Sequence, residues 1–282
     1  MDLSPSTYYY KPKISRAERE KADADLKEKI EYVQEEYSCR GYRTIRHHLR
    51  RHYDLIVNPK KIRRIMRKYS LMWPVKRKFI RTTDSDHGFK VYPNLLKGLT
   101  VTDINQVWVA DITYIRILTG FVFLAVILDV FSRRVVGWAI GKRINHDLTL
   151  AALKMAIRTR NPSPGVIHHS DRGIQYACTD YIKELRQEGC EFRISMSAKG
   201  NPYDNAYAET FFKTLKQEEV YLWDFETFTD VIDRIPEFIE AVYNRKRIHS
   251  GINYLTPVEF ETILLDEKKK KTLGQPILIL PS

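Results

Sequence analysis

The stretch WVADITYIRILTGFVFLAVILDVFSRRVVGWAI, residues 108 to 140, decides the architecture. Three runs within it, 108–117, 121–130 and 134–140, are rich in β-branched and aromatic residues, and short turns at 118–120 and 132–133 separate them. They predict an antiparallel meander. Downstream the period changes. Asp147 is the expected cap of an amphipathic helix over 148–159, and a Pro/Gly turn at 162–165 leads to a strand over 166–169. A second helix over 179–187 ends at Gly189, and a fifth strand over 192–196 precedes a loop at 197–203. Three strands followed by alternating helix and strand give an α/β core over 104–262, a mixed five-stranded sheet flanked by helices. Residues 263–282 read as a C-terminal tail in which Lys268 to Lys271 are solvated.

Upstream, apolar residues recur at helical spacing. In the N-terminal helical segment, 1–38, Ser15 and Glu18 form a capping box, and Ala22, Leu26, Ile30 and Val33 make the buried stripe of a helix over 15–37. Two short helices follow in 39–75, one with an Ile45, Leu49, Tyr53 stripe and one started by Asn58 and Pro59 that turns Ile62, Ile65, Met66 and Tyr69 inward. Joined by a turn at 53–57, they fit a helix-turn-helix whose second helix offers Lys60, Lys61, Arg63, Arg64, Arg67 and Lys68 to DNA. Residues 76–103 lack a sustained period and read as a linker, whose basic start at Lys76, Arg77 and Lys78 suits a phosphate backbone.

Charge supports this division. The chain has 282 residues and a formal net charge of +12, and the first 100 residues hold 24 basic against 12 acidic side chains, while the remainder holds 23 of each. From Arg40 to Arg81 there are 15 Lys or Arg and a single acid, Asp54, a density that points to a polyanion. The apolar run at 120–130 is too short for a membrane span, and no signal peptide is visible. Cys39, Cys178 and Cys190 are odd in number and widely spaced, which argues for free thiols in a cytoplasmic protein and against a disulfide framework or a zinc site.

Within the core, Asp111 lies inside an apolar strand, Asp171 follows a strand at its C-terminal end, and Glu209 stands on a helix that Asp204 or Asn205 can cap. Lys213 and Lys216 share the helical face of Glu209 and suit DNA phosphates. Three carboxylates brought together by a fold repel one another unless a cation joins them, and hard oxygen ligands select a pair of Mg2+ ions, with Mn2+ able to substitute. Thirty-five acidic residues allow many such triples, so spacing alone leaves the choice open.

Five blocks narrow it. WVADITYI (108–115), LDVFSRRVVGW (128–138), HHSDRGIQY (168–176), SMSAKGNPYDNAYAETFFKTLKQE (195–218) and YNRKRIHSGINYLTPVEFE (243–261) resemble, in order, the catalytic subunit of bacterial insertion-sequence transposases of the DDE superfamily. The resemblance implies an RNase H-like, retroviral-integrase-like core, metal-dependent strand cleavage and transfer at element ends, and Asp111, Asp171 and Glu209 as the metal-binding triad. Between Asp171 and Glu209 lie 37 residues, two more than is usual for the family, and 189–194 is where a turn can absorb them. The implied partners are double-stranded DNA, both terminal repeats and target, a dimer or higher oligomer on paired ends, and the product of an upstream reading frame, since Met1 to Tyr8 matches the family's second frame. A nucleoid-associated cytoplasmic location follows. Two rival activities are a catalytically silent DNA-binding regulator and a nuclease of this fold that cuts without joining.

The remaining conspicuous residues divide. Asp129 is better read as a turn acid than as a ligand, and one of His168 and His169 as a hydrogen-bonded structural histidine. Asn201 and Asn205 are candidates for phosphate or scissile-strand contact, and the cluster Arg245, Lys246, Arg247 and His249 for DNA contact.

Overall fold

The computed structural model describes residues 15–37, 41–72, 88–187, 189–198 and 205–272. It forms two compact units, within 1–74 and within 75–282.

Among the described residues the first unit has three helices. Helix α1 (Arg16–Glu36) starts with the expected capping box, in which Glu18 N–H donates to Ser15 Oγ at 3.1 Å and Ser15 N–H to Glu18 Oε2 at 2.9 Å. Helix α2 (Tyr42–Tyr53) ends at Asp54, whose φ of 51° turns the chain, and α3 (Pro59–Lys68) starts where Asn58 Oδ1 accepts from Lys60 N–H at 2.8 Å. Leu26, Ile30 and Val33 of α1 share one core with Ile45, Leu49, Ile62, Ile65 and Met66. Helix α1 is therefore a wall of the same unit as the helix-turn-helix pair. Its buried stripe differs from expectation at one position: Ala22 is exposed and Asp23 is buried in its place. A buried carboxylate requires partners, and Asp23 Oδ1 has them in Arg64 Nη2 at 2.8 Å and Lys61 Nζ at 3.7 Å.

The second unit is built on a five-stranded sheet of order β3-β2-β1-β4-β5, with β1 Val107–Ile117, β2 Gly120–Asp129, β3 Val135–Gly141, β4 Ile167–Ser170 and β5 Arg193–Met196. The first three strands pair antiparallel; β4 joins β1, and β5 joins β4, in parallel. Because side chains alternate across the sheet, Trp108, Ala110, Ala125 and Ile127 face one layer of helices, while Val107, Val109, Val126 and Leu128 face another. The first layer holds α4 (His146–Arg160), the single turn α5 (Ile174–Ala177) and α6 (Thr179–Leu185). A Cβ on Gly137 would lie 2.3 Å from Ala152 O, so only glycine lets α4 settle this close to β3. Asn145, rather than Asp147, caps α4, accepting from Leu148 N–H at 3.2 Å, and Asp147 instead accepts from Asn145 Nδ2.

The second layer contains α7 (Ala206–Leu215), which runs on into a π-helical turn at Lys216–Val220, and α8 (Phe228–Glu237), which widens likewise at Phe238–Tyr243 just after Pro236. Leu95, Leu96, Leu99 and Val101 pack against this layer, so the latter part of the expected linker belongs to the core surface. Helix α9 (Pro257–Thr272) likewise carries regular structure into the expected tail, and Lys268 in it pairs with Asp103.

A polar network ties these layers at one end of the sheet. Glu261 of α9 accepts two bonds from Arg160, at 2.7 and 2.8 Å, and one from Arg134 at 2.7 Å, while Arg160 Nε also reaches Asn105 Oδ1 at 3.0 Å. Burial alone would raise the Glu261 carboxyl, but the two guanidinium groups more than offset it and hold it below the ordinary glutamate range. Glu261→Ala strands a largely buried Arg160 and is expected to cost about 3–5 kcal/mol in urea unfolding. Since a depressed carboxyl stabilises above its unfolded pKa and stops doing so as pH falls through its folded one, the variant should also lack part of the wild-type loss of stability below about pH 4.5.

Candidate active site

The parallel pairing of β1 and β4 fixes the centre of the site. Val107 lies opposite Ile167, Trp108 opposite His168 and Val109 opposite His169. Continued by two residues, this register sets Asp111 level with Asp171, at the point where β4 has ended and β1 runs on beside β2 alone. Adjacent strands are about 4.8 Å apart, so the pleat that buries Val107 and Val109 brings a carboxylate to the mouth of the sheet beside a second one. Each is oriented by backbone: Ile112 N–H donates to Asp111 Oδ1 at 2.8 Å and Gly173 N–H to Asp171 Oδ1 at 2.9 Å. A Cβ on Gly173 would stand 3.0 Å from that same Asp171 oxygen and 2.8 Å from Gln175 Oε1.

Glu209, exposed in the first turn of α7, is the third carboxylate. Its helix is drawn onto the sheet by Phe211, Phe212 and Leu215, and Asn205 Nδ2 donates to Ala110 O at 3.4 Å, one residue from Asp111. The electrostatics record the convergence. Burial and then the charge of Asp171 push the Asp111 carboxyl up to about 8; the Ile112 N–H opposes them, Glu209 adds less, and Lys216 opposes least. Asp111 nevertheless keeps part of its surface exposed and is reachable from solvent. Among the described residues no three His, Cys, Asp or Glu side chains are close enough to hold one ion together. The chemistry of the site fits Mg2+ or Mn2+: hard oxygens whose mutual repulsion a dication relieves.

The comparisons with known proteins agree with this geometry. Residues 102–202 and 191–257 match Integrase core domain families, and residues 20–79 match the HTH-like domain family. The chain is 39% identical over 263 residues to the insertion element IS600 uncharacterized 31 kDa protein of Shigella sonnei, covering 92% of this chain and 94% of that one. It is 38% identical over 205 residues to the transposase InsF for insertion sequence IS3A of Escherichia coli (strain K12), covering 72% and 70%. The chain belongs to the insertion-sequence transposases. A weaker likeness runs to the HTLV-2 integrase catalytic core domain solved in complex with magnesium, at 15% identity and a TM-score of 0.43, covering 55% of this chain and 95% of that chain. The transposase is thus an enzyme of the DDE transposase/integrase type, with a core whose family uses divalent metals.

Around the carboxylates the transposase places its cations unequally. Lys213 is exposed on α7, whereas Lys216 is half-buried with Nζ 4.4 Å from the centre of the Tyr114 ring. Burial lowers the Lys216 ammonium, and attraction to Asp111 partly restores it. Arg245 and Lys246 are exposed after α8. Two neighbours expected to bind DNA are engaged within the fold. Arg247 is held by Glu218 through bonds of 2.9 and 3.0 Å. The His249 ring lies 4.8 Å from that of Tyr243, and burial followed by the charges of Arg247 and Arg133 pushes it down to about 3, so it is neutral at physiological pH. Asn205 is buried, its Nδ2 donating to Ala110 O at 3.4 Å, while its Oδ1 has no partner among the described residues. Lys76, Arg77, Lys78 and Asn201 lie outside the described residues.

The histidines before Asp171 are both buried, His168 Nε2 against Tyr181 OH at 2.9 Å and His169 Nδ1 against Ser195 Oγ at 2.8 Å. Asp129 is the turn acid, its carboxylate accepting from the N–H groups of Asn105, Phe131 and Ser132. Nothing in the sequence pattern singles out Tyr176, which is buried within the electrostatic reach of both Asp111 and Asp171. A lone tyrosine on a single helical turn carries no local signal of that position.

On α3, Lys60, Arg63, Arg67 and Lys68 are exposed, whereas Lys61 and Arg64 are engaged with Asp23. Replacing Arg63 or Arg67 by Ala is expected to weaken duplex binding and to lower the slope of log affinity against log salt by about 0.9 for each phosphate that is no longer neutralised, with the unfolding midpoint unchanged. Arg64→Ala should instead lower the midpoint, because Asp23 then keeps only the more distant Lys61. Fluorescence anisotropy at several salt concentrations, paired with urea titration, separates the two outcomes.

Proposed function

We propose that this transposase cuts and joins DNA strands at the ends of its insertion sequence, with Asp111, Asp171 and Glu209 as the ligands of two Mg2+ ions. The observation that supports this most is the convergence on Asp111: a strand centre, a strand end and a helix bring three carboxylates into mutual repulsion at a solvent-reachable point. A structural role for such crowding would be served better by apolar residues.

Asp111 on β1, Asp171 just past the end of the neighbouring parallel strand β4, and Glu209 in the first turn of α7 would hold the ions. When bound, the ions supply the charge that activates first water and then a 3′-hydroxyl, and that steadies the departing oxygen. The protein's own groups do the rest. Ile112 N–H and Gly173 N–H fix one oxygen of each aspartate, which limits how the carboxylates turn. Lys216, half-buried near Asp111, meets a phosphate oxygen at the reacting junction, while the outer Lys213, Arg245 and Lys246 track the backbone further along. Hydrolysis at the element end releases a 3′-hydroxyl; that hydroxyl attacks a second phosphodiester in line, with no covalent protein intermediate. The exposed basic face of α3 holds double-stranded DNA through its phosphates, and the pairing of two ends calls for a dimer or larger assembly.

Asp111→Asn, Asp171→Asn and Glu209→Gln should each reduce strand transfer to background on labelled cognate ends with Mg2+, while duplex binding stays within about twofold of wild type, because the phosphate-binding surface is intact. A variant that still links the labelled strand to target DNA removes its residue from the triad. Wild-type cleavage without linkage would reduce the activity to that of a nuclease.

A further inference from the structure

Tyr176 is 2% exposed and sits among Trp108, Ala110 and Tyr181 beneath the sheet. Its hydroxyl has no hydrogen-bond partner among the described residues. Tyr181 provides the contrast: it is buried to the same degree, 5.4 Å away ring to ring and edge-on, yet its hydroxyl meets His168 Nε2 at 2.9 Å. Where only packing is required, phenylalanine fills the space without burying a donor, so a tyrosine whose hydroxyl lacks an acceptor calls for a reason.

The local backbone supplies one. Asp171 Oδ1 accepts from Gly173 N–H, and Tyr176 N–H donates to Gly173 O at 2.9 Å, so a single compact turn carries both the carboxylate and the phenol. Thr149 Oγ1, bonded to Gln175 O at 3.2 Å, clamps that turn against α4. These ties hold the backbone of Tyr176 to the turn that carries Asp171. Burial raises the phenol well above its ordinary range, and the charges of Asp111 and Asp171 add to that, whereas the Tyr181 hydroxyl is already satisfied by His168.

We propose that Tyr176 is a positioning residue of the transposase site: its buried hydroxyl donates to the Asp111–Asp171 carboxylate pair, directly or through one water, when a divalent cation draws that pair together. The inference rests on the metal-site reading given above. Its consequence is a role in metal affinity separable from folding, since outer groups that orient a ligand typically contribute about 10–100-fold to affinity.

The test titrates Mn2+, followed by electron paramagnetic resonance, into the full-length chain bound to a duplex of its element end. Wild type, Tyr176→Phe, Tyr181→Phe and Asp111→Asn are compared, with thermal unfolding recorded for each. Tyr176→Phe should weaken Mn2+ binding about 10–100-fold while its melting temperature stays the same or rises. Tyr181→Phe, which loses the bond to His168, should melt earlier and bind Mn2+ as wild type does. Wild-type affinity in Tyr176→Phe overturns the proposal, and a lowered melting temperature with unchanged affinity assigns the hydroxyl to a structural water. If wild type and Asp111→Asn bind Mn2+ alike, the metal-site reading itself fails and the role of Tyr176 falls with it.

Discussion

A carboxylate within a sheet strand, with a second carboxylate just past the end of the neighbouring strand, is a standing electrostatic cost, and the catalytic unit is arranged around it. Asp111 is pushed up to about 8 by burial and by Asp171 and Glu209. The position is not an accident of packing. Parallel register between β1 and β4 makes the two aspartates level, and α7 is seated on the sheet by Phe211, Phe212 and Leu215, which carries Glu209 to the same mouth. Folding concentrates negative charge at this point, and the half-buried Lys216 ammonium is favoured by the charge of Asp111.

Tolerating that cost requires a frame that does not yield. At the start of β1, opposite Trp108, Asp129 gathers three backbone N–H groups, Asn105 links it to Arg160, and Arg160 and Arg134 close on Glu261. Here the buried carboxylate of Glu261 faces guanidinium groups, whereas at the mouth carboxylates repel one another. The contrast follows the usual division between ionic groups that specify a structure and ionic groups kept unneutralised for use. Gly137, pressed against the α4 backbone, fixes the same layer from the other side of the sheet.

Much of this was legible in the sequence, for local reasons. Capping residues act within one helical turn, so Ser15 with Glu18, and Asn58 with Pro59, announced their helices correctly. The strands were legible because β-branched runs leave little alternative. Three features were not, because each depends on a distant partner or on the fold around it. Asp23 takes the core position expected of Ala22 only because Arg64 and Lys61 come to it from another helix. Arg247 counts as a free basic residue until Glu218, 29 positions earlier, is seen to hold it. The π-helical turn at Lys216–Val220 has no sequence signature, yet it decides where Lys216 stands. The carboxylate triple lies between these cases: each acid could be noticed locally, but choosing three from thirty-five needed the family resemblance, and the β1–β4 register supplies the physical reason for two of them.

The central claim, that the fold gathers Asp111, Asp171 and Glu209 to hold divalent ions, is tested most directly by anomalous diffraction from crystals of the chain on its element-end duplex, grown with Mn2+. The account predicts anomalous peaks within about 2.1 Å of oxygens of Asp111 and Asp171, with Glu209 on one of the two ions. Peaks confined to other side chains, or an Asp111–Asp171 pair without an ion at saturating Mn2+, would contradict it.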